Sequence, residues 1–424
     1  MIYIDDLTTD QKYAFEQFIS GKNVFITGPA GTGKTYLIRK IRSYCYKIKK
    51  YIGITALTGC AAYIIHGHTL HSWAGIGLGE DPIDILVKKV KKNRRAYNRW
   101  KKTEVLVIDE ISMMSKGLFI KLEKIARIIR KNDKVWGGLQ ICALGDMCQL
   151  PPCNADFCFE SKKWNKTFGD MIQLTTIKRQ QNDDFCDCLN EIRFGIVSNK
   201  TKELLKHCSN KTWDESHPVK PTRLYGYNNK VDEINKKEHQ KLNTDKVYFE
   251  HKTNISYYEY PNKALRNQAE YQSKMMDKNI SYDPKLELSI GAQVMLLTNI
   301  DVKSGLVNGS RGVVKMFDKD GLPVVHFLHG IDHTVKHHDW TREETHYVIT
   351  KTQIPLKLAW ATSIHRTQGA TLDLVEVDVK NIFEYGQVYV ALSRVKNKDS
   401  LYIKDYDIKK IKCHPKVKEF YKKT

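Results

Sequence analysis

The chain has 424 residues, 41% of them hydrophobic, which is enough for two or three domains with ordinary cores. Lys plus Arg number 69 against 48 Asp plus Glu, a net charge of +21 that points to a polyanionic partner, nucleic acid first. No apolar run approaches the ~20 residues of a membrane span, and the opening MIYIDDLTTDQKYAF has acids and no hydrophobic signal segment, so the expectation is an intracellular chain, cytoplasmic or nuclear, neither membrane-spanning nor secreted.

VFITGPAGTGKTYLI (24–38) is the first informative stretch. A β-rich run ends in Gly28-Pro29-Ala30-Gly31-Thr32-Gly33-Lys34-Thr35 and continues as a helical pattern, the context a phosphate loop requires. Its glycines let backbone N–H groups surround phosphates at a helix N-terminus. Lys34 then neutralises the β and γ oxygens of a nucleoside triphosphate, and the Thr35 hydroxyl is a ligand for Mg²⁺. The Lys-rich LVKKVKKNRRAYNRWKK (86–102) is read either as a short strand-separating wedge, within an insertion at about 76–103, or as a solvated charged helix.

VLVIDEIS (105–112) reads as a buried parallel strand ending in two carboxylates, Asp109 to hold Mg²⁺ and Glu110 to polarise the attacking water. Leu118, Leu122, Ile125 and Ile129 recur at three and four residues, one apolar helix face between Lys, Glu and Arg. A strand over 139–144 leads into GDMCQLPP (145–152), which places Asp146 and Gln149 at the same sheet edge, with Gln149 set to sense the γ-phosphate. Arg179 follows QLTTIK.

The ten cysteines have no framework spacing and fit free thiols in a reducing compartment; Cys148, Cys153 and Cys158 are read as structural. Residues 288–314 alternate short β runs with Gly-containing turns, suggesting a small barrel. The His-rich 326–340 is read as strand faces on that barrel rather than as a metal site. ATSIHRTQGATLD (361–373) and YVALSRV (389–395) bracket the apolar strand VEVDV, and Arg394 ends a helical stretch. An arginine delivered to a γ-phosphate from a neighbouring domain is worth about 10³ to 10⁵ in rate, and Arg179 and Arg394 are the candidates.

From LTTDQKYAF at residue 7 to LYIKDY near residue 406, the chain resembles the petite-integration-frequency (Pif) family of DNA helicases, the RecD-like 5′→3′ branch of superfamily 1. The segment 118–152 resembles that family's signature helix and the motif after it. Met147 and Trp136 stand where the family usually has phenylalanine, and Arg366 and Thr367 where lysine and serine are usual.

The resemblance implies an α/β fold of two RecA-like phosphate-loop NTPase domains, the first over 1–175 and the second over 176–424, the latter interrupted by an SH3-like β-barrel at 244–350. It implies that Gln11 contacts adenine, that Gln368 and Gly369 couple DNA to nucleotide, and that Thr55, Thr58, Thr69, His71, Ser72, Ser363 and His365 touch single-stranded DNA. Trp73 is either a core aromatic or a base-stacking platform. ATP and Mg²⁺ are the implied cofactors, and single-stranded DNA and its duplex junctions the partners of a chain active as a monomer. The implied activity is ATP-dependent 5′→3′ unwinding in replication, repair or recombination. A phosphate-loop ATPase or kinase for a small molecule or a protein, and an inactive nucleic-acid-binding module, are the competing readings. The Lys-, Asn- and Tyr-rich usage hints at an AT-rich genome such as a viral one.

Overall fold

The computed structural model describes residues 6–423 apart from 181–182, 215, 227–228, 280–281, 302–303 and 345. Residues 1–5, on which the reading of the amino terminus partly rests, lie outside the described set. The chain divides into two compact units: Met1–Leu204 with Phe383–Ser393 and Asp407–Thr424, and Leu205–Ile382 with Arg394–Tyr406.

The first unit is built on six parallel strands, β1 (Val24–Thr27), β2 (Ile52–Ala56), β3 (His68–Thr69), β4 (Val105–Asp109), β5 (Gln140–Leu144) and β6 (Ile172–Gln173), in the order β3-β2-β4-β5-β1-β6. β1 and β4 are buried along their whole length. That is what near-continuous apolar runs become when helices cover both faces of a parallel sheet. One face packs on Phe15, Phe18, Leu37, Ile38 and Ile41, the other on Trp100, Phe119, Leu122, Ile125 and Trp136.

The helix Lys116–Arg130 starts at Ser115, whose side chain accepts the Leu118 N–H, and ends at Lys131 in the left-handed region. It buries Phe119, Leu122, Ile125 and Ile129; Leu118 is only partly buried, because the face is centred one residue further on. The Lys-rich segment forms two helices, Ile83–Lys92 and Arg94–Lys102. Leu86, Val87, Val90, Ala96 and Trp100 enter the core, and the lysines stay on the opposite face.

The segments 176–204 and 407–424, read from the sequence as part of the second domain, group instead with the first unit. The reason is a buried ion pair: Arg193, on the helix Asp183–Arg193, reaches Asp146 with Nε and Nη2 at 2.9 Å each. Tyr421, on the C-terminal helix Pro415–Lys422, shares a 2.7 Å hydrogen bond with the Thr27 hydroxyl and donates to Asp146 at 3.1 Å.

The second unit holds a four-stranded parallel sheet in the order Ala361–Ser363, Thr222–Tyr225, Val375–Asp378, Leu401–Asp405. Between its first two strands in sequence lies an antiparallel region. Five strands run in the order Asp332–Thr334, Pro323–Phe327, Arg311–Phe317, Gln293–Leu296, Leu356–Leu358 over a core that includes Leu288, Val294, Val325 and Phe327. A three-stranded sheet (His338–Glu344, Tyr347–Gln353, Lys252–Tyr257) and the helix Lys263–Asn279 extend it. In the His-rich stretch His326 pairs with Asp332, and His338 packs edge-on against Trp340.

Candidate nucleotide site and nucleic-acid interface

The phosphate loop joins β1 to the helix Lys34–Lys47. Gly28 has φ +152°, and a Cβ there would lie 2.4 Å from the Leu174 carbonyl, so only glycine fits. Lys34 lies within the loop and donates to the carbonyls of Gly28 and Pro29 at 2.7 and 2.9 Å. Burial lowers its pKa, opposed by the charges of Asp146, Glu110 and Asp109. Thr32 is buried, while Gly31, Gly33 and Thr35 are half-buried. Gln11 spends its amide inside the fold: Nε2 donates to Thr32 O at 2.9 Å, and Oε1 accepts the Thr8 N–H at 3.2 Å in a capping box.

β4 ends in Asp109 and Glu110, 5% and 7% exposed. Glu110 sits in the left-handed region (φ 53°), an uncommon conformation for a residue with a side chain, and its N–H donates to Asp109 Oδ1 at 2.9 Å. Burial and the neighbouring Glu110 push the Asp109 carboxyl up to about 7. Two adjacent buried carboxylates are donors that suit a divalent cation, and Asp109 and the Thr35 hydroxyl are the groups that would bind it.

β5 ends at Leu144, and Gly145–Gln149 turn at the same edge. Asp146, whose polar role the sequence left open, is held by Arg193 and Tyr421. Gln149 is 4% exposed, and its Oε1 has no hydrogen-bond partner among the described residues. A buried amide oxygen left unpaired is costly, and a donor on a water or a bound ligand would satisfy it.

Arg179 belongs to the first unit, not to a neighbouring domain as the sequence suggested. It lies against the phosphate loop, since a Cβ on Gly31 would fall 2.6 Å from Arg179 Cβ, and its Nη1 donates to Ser393 O at 3.1 Å. Gln180 donates to the same carbonyl, and the Ala30 N–H donates to Tyr389 Oη at 2.8 Å. Tyr389, Gln180, Arg193 and Tyr421 are site residues the sequence reading missed.

The expected DNA contacts divide. Thr58, Thr69, His71 and Ser72 are half-buried near the ends of β2 and β3. Thr58 and Thr69 cap short helices through the N–H groups of Ala61 and Ser72, and burial lowers the pKa of His71. Thr55 is buried and donates its hydroxyl to Val107 O at 2.7 Å, so it holds the sheet and cannot offer that group to a phosphate. Trp73 is 2% exposed and packs on Trp100 at 4.7 Å, which makes it a core aromatic with no free face for a base. In the second unit, Ser363 is buried and its hydroxyl accepts the Arg366 N–H; His365 is half-buried. Gln368 is buried and Gly369 half-buried. Arg394 is 1% exposed and donates to Thr367 O and Ala370 O at 3.2 and 3.3 Å.

A family model for PIF1-like helicases matches residues 6–203, and one for the 2B domain of the DNA helicase Pif1 matches residues 275–317. The crystal structure of Pif1 helicase from Candida albicans is 36% identical, with 98% of this chain and 99% of that one covered and a TM-score of 0.76. The chain belongs to the PIF1-like helicase family. An ATP-dependent DNA helicase PIF1 of Xenopus laevis is 37% identical over 98% of this chain, and the chain spans 64% of that relative's length. A Bacteroides Pif1 helicase solved with ADP-AlF3 and single-stranded DNA is 25% identical over 98% of this chain and 96% of that one, with a TM-score of 0.62. Membership accounts for the two parallel sheets and for the antiparallel insertion in the second. No described helix is long and apolar enough to cross a membrane.

Proposed function

We propose that this chain is an ATP-dependent DNA helicase that moves 5′→3′ on single-stranded DNA and opens duplexes during replication, repair or recombination. The observation that carries the ATP half is the buried Gln149 Oε1, without a partner among the described residues, at the sheet edge that also bears the phosphate loop, Asp109 and Glu110. Lys34 neutralises the β and γ oxygens, and backbone N–H groups of 28–35 enclose them. Thr35 and Asp109 would hold Mg²⁺, whose chemistry is to neutralise charge on the β- and γ-phosphate oxygens. Glu110 orients the attacking water and accepts its proton, while Gln149 bonds the water or the γ-phosphate. Arg179, beside Gly31, and Arg394, on the second unit, offset charge that develops on the transferred phosphoryl group. Gln11 is the adenine contact that the family resemblance implies; its amide is tied to Thr32 O of the loop and would have to exchange that bond for the base.

DNA is the substrate class that suits the net charge of +21 and the relatives' named activity. Thr58, Thr69, His71 and Ser72 on the first unit, with His365 on the second, supply contacts to phosphate and sugar that carry no sequence information. Alternating grip by the two units turns each hydrolysis cycle into a step by a monomer. ATPase turnover with and without single-stranded DNA separates this reading from a small-molecule kinase, because only a helicase is stimulated. Duplexes with a 5′ or a 3′ single-stranded tail then test direction. Unwinding of the 5′-tailed duplex alone is expected, and preference for the 3′ tail would overturn the polarity while leaving the ATP site standing.

A further inference from the structure

The loop 367–373 carries Gln368 and Gly369, and within the second unit it is held from two sides. On one side is Arg394, which donates to the carbonyls of Thr367 and Ala370 and accepts the Leu372 N–H at 2.9 Å. On the other is the inserted antiparallel sheet. Gly309, at φ +100°, approaches so closely that a Cβ would lie 2.0 Å from Thr371 O, which leaves no slack between sheet and loop.

Two residues on is Arg311, the first residue of the strand Arg311–Phe317. Its backbone N–H donates to Asp373 Oδ2 at 3.4 Å, and its guanidinium is 0% exposed. One guanidinium nitrogen, Nη2, donates to Lys220 O at 2.9 Å, while Nε and Nη1 have no hydrogen-bond partner among the described residues. A guanidinium has five donors and does not lose its proton, so burying it with most of them unspent needs a compensating charge nearby. Asp373 is the carboxylate whose charge acts on it, without a direct bond between the two side chains: the Asp373 side chain is 6% exposed, Oδ2 takes the Arg311 backbone N–H and lies 3.6 Å from Nε2 of His329, and burial raises its pKa against the charges of His329, Lys396 and Arg311. Burial lowers the Arg311 pKa to about 9, and the Asp373 charge opposes that shift.

We propose that Arg311 and Asp373, joined through the Arg311 backbone N–H and by the attraction of two buried charges, lock the inserted sheet onto loop 367–373, and that this lock positions Gln368 and Arg394 for ATP hydrolysis. The functional half rests on the nucleotide reading above; the mechanical half does not. Both are positioning residues. Neither needs to touch nucleotide, because any shift of the loop relative to the sheet is passed to Arg394 through the three hydrogen bonds.

The test uses the full chain carrying Arg311→Met, Asp373→Asn, and Arg311→Met combined with Asp373→Leu. Hydrogen–deuterium exchange of the segments 367–373 and 28–35 reads the lock. Steady-state ATPase with saturating single-stranded DNA reads its consequence, and thermal melting reads the fold. Arg311→Met should speed exchange in 367–373 about tenfold while leaving 28–35 unchanged, and should lower kcat about tenfold with the KM for ATP within about threefold. The double variant should regain melting temperature, since a buried pair replaced by apolar residues is often neutral, without regaining kcat. Asp373→Asn, nearly isosteric, gives the same readouts if Arg311→Met does not fold. Unchanged exchange in 367–373 in a folded variant would overturn the lock. A kcat that stays intact, or that returns with melting temperature in the double variant, would reduce the pair to structural glue. If the unsubstituted chain shows no DNA-stimulated hydrolysis, the helicase reading fails, and the exchange result alone decides the lock.

Discussion

Replacing Arg193 by Met should be among the most destabilising single changes in the first unit. The guanidinium is 2% exposed and grips both oxygens of Asp146, which is 0% exposed, at 2.9 Å each. It also lies over the rings of Phe194 and Tyr421 at 4.8 and 4.9 Å. Met keeps most of the volume and some ring contact, so the main cost is a buried carboxylate stripped of its cation, about 3–5 kcal/mol for a pair of this kind. For a unit of this size roughly 2–4 °C is lost per kcal/mol, giving a fall of about 6–20 °C in the first unit's calorimetric transition at pH 7. Burial alone would raise the Asp146 pKa, but the charge and hydrogen bonds of Arg193 outweigh it and hold the group below its ordinary 3.8. A depressed pKa stabilises above the unfolded value and stops doing so as pH falls through the folded one. In the variant burial is no longer opposed by Arg193, so the Asp146 carboxyl takes up a proton at a higher pH than in the native chain; the gap should be widest at pH 8, narrow as pH falls towards 4, and close in stronger acid. A transition within 2 °C of the native one at pH 7 would refute the argument that this pair joins 176–204 to the first unit.

Glu110→Gln should bind a fluorescent ATP analogue within a few-fold of the native chain and stop turnover; near-normal hydrolysis would remove Glu110 from the water-activating role. Arg394→Ala should leave nucleotide affinity within a few-fold and cut DNA-stimulated turnover by about 10² or more, whereas an unchanged rate would leave Arg394 as a loop anchor only. Trp73→Ala should cost about 3–5 kcal/mol of stability and leave the single-strand affinity of the folded protein at fixed salt unchanged. An affinity loss without a melting shift would restore the stacking role. Single-strand affinity should fall with salt by about 0.7 in log K per log unit of salt for each phosphate neutralised, and a flat salt titration would argue against a phosphate-tracking groove.

Much of this site is local in sequence and was readable there. The phosphate loop, the Asp109–Glu110 pair and Gln149 each sit where an apolar run ends, and parallel strands deliver their carboxyl ends to one edge. The helix Lys116–Arg130 announced itself by its spacing, although the buried face is centred on Phe119 and Leu122 rather than on Leu118. The tertiary structure alone decided whether a polar or aromatic residue in a motif faces a ligand or the interior. Thr55 and Trp73 stand in motif-like segments yet are spent on the sheet and on Trp100, because burial depends on which helix covers a strand and no local pattern records that. It also decided the partners of Asp146. Arg193 is 47 residues away and Tyr421 is 275, on a C-terminal helix that returns to the first unit. A pairing over such separations leaves no periodicity behind; it exists only because chain closure brings two buried charges to one place, where neither is tolerable alone.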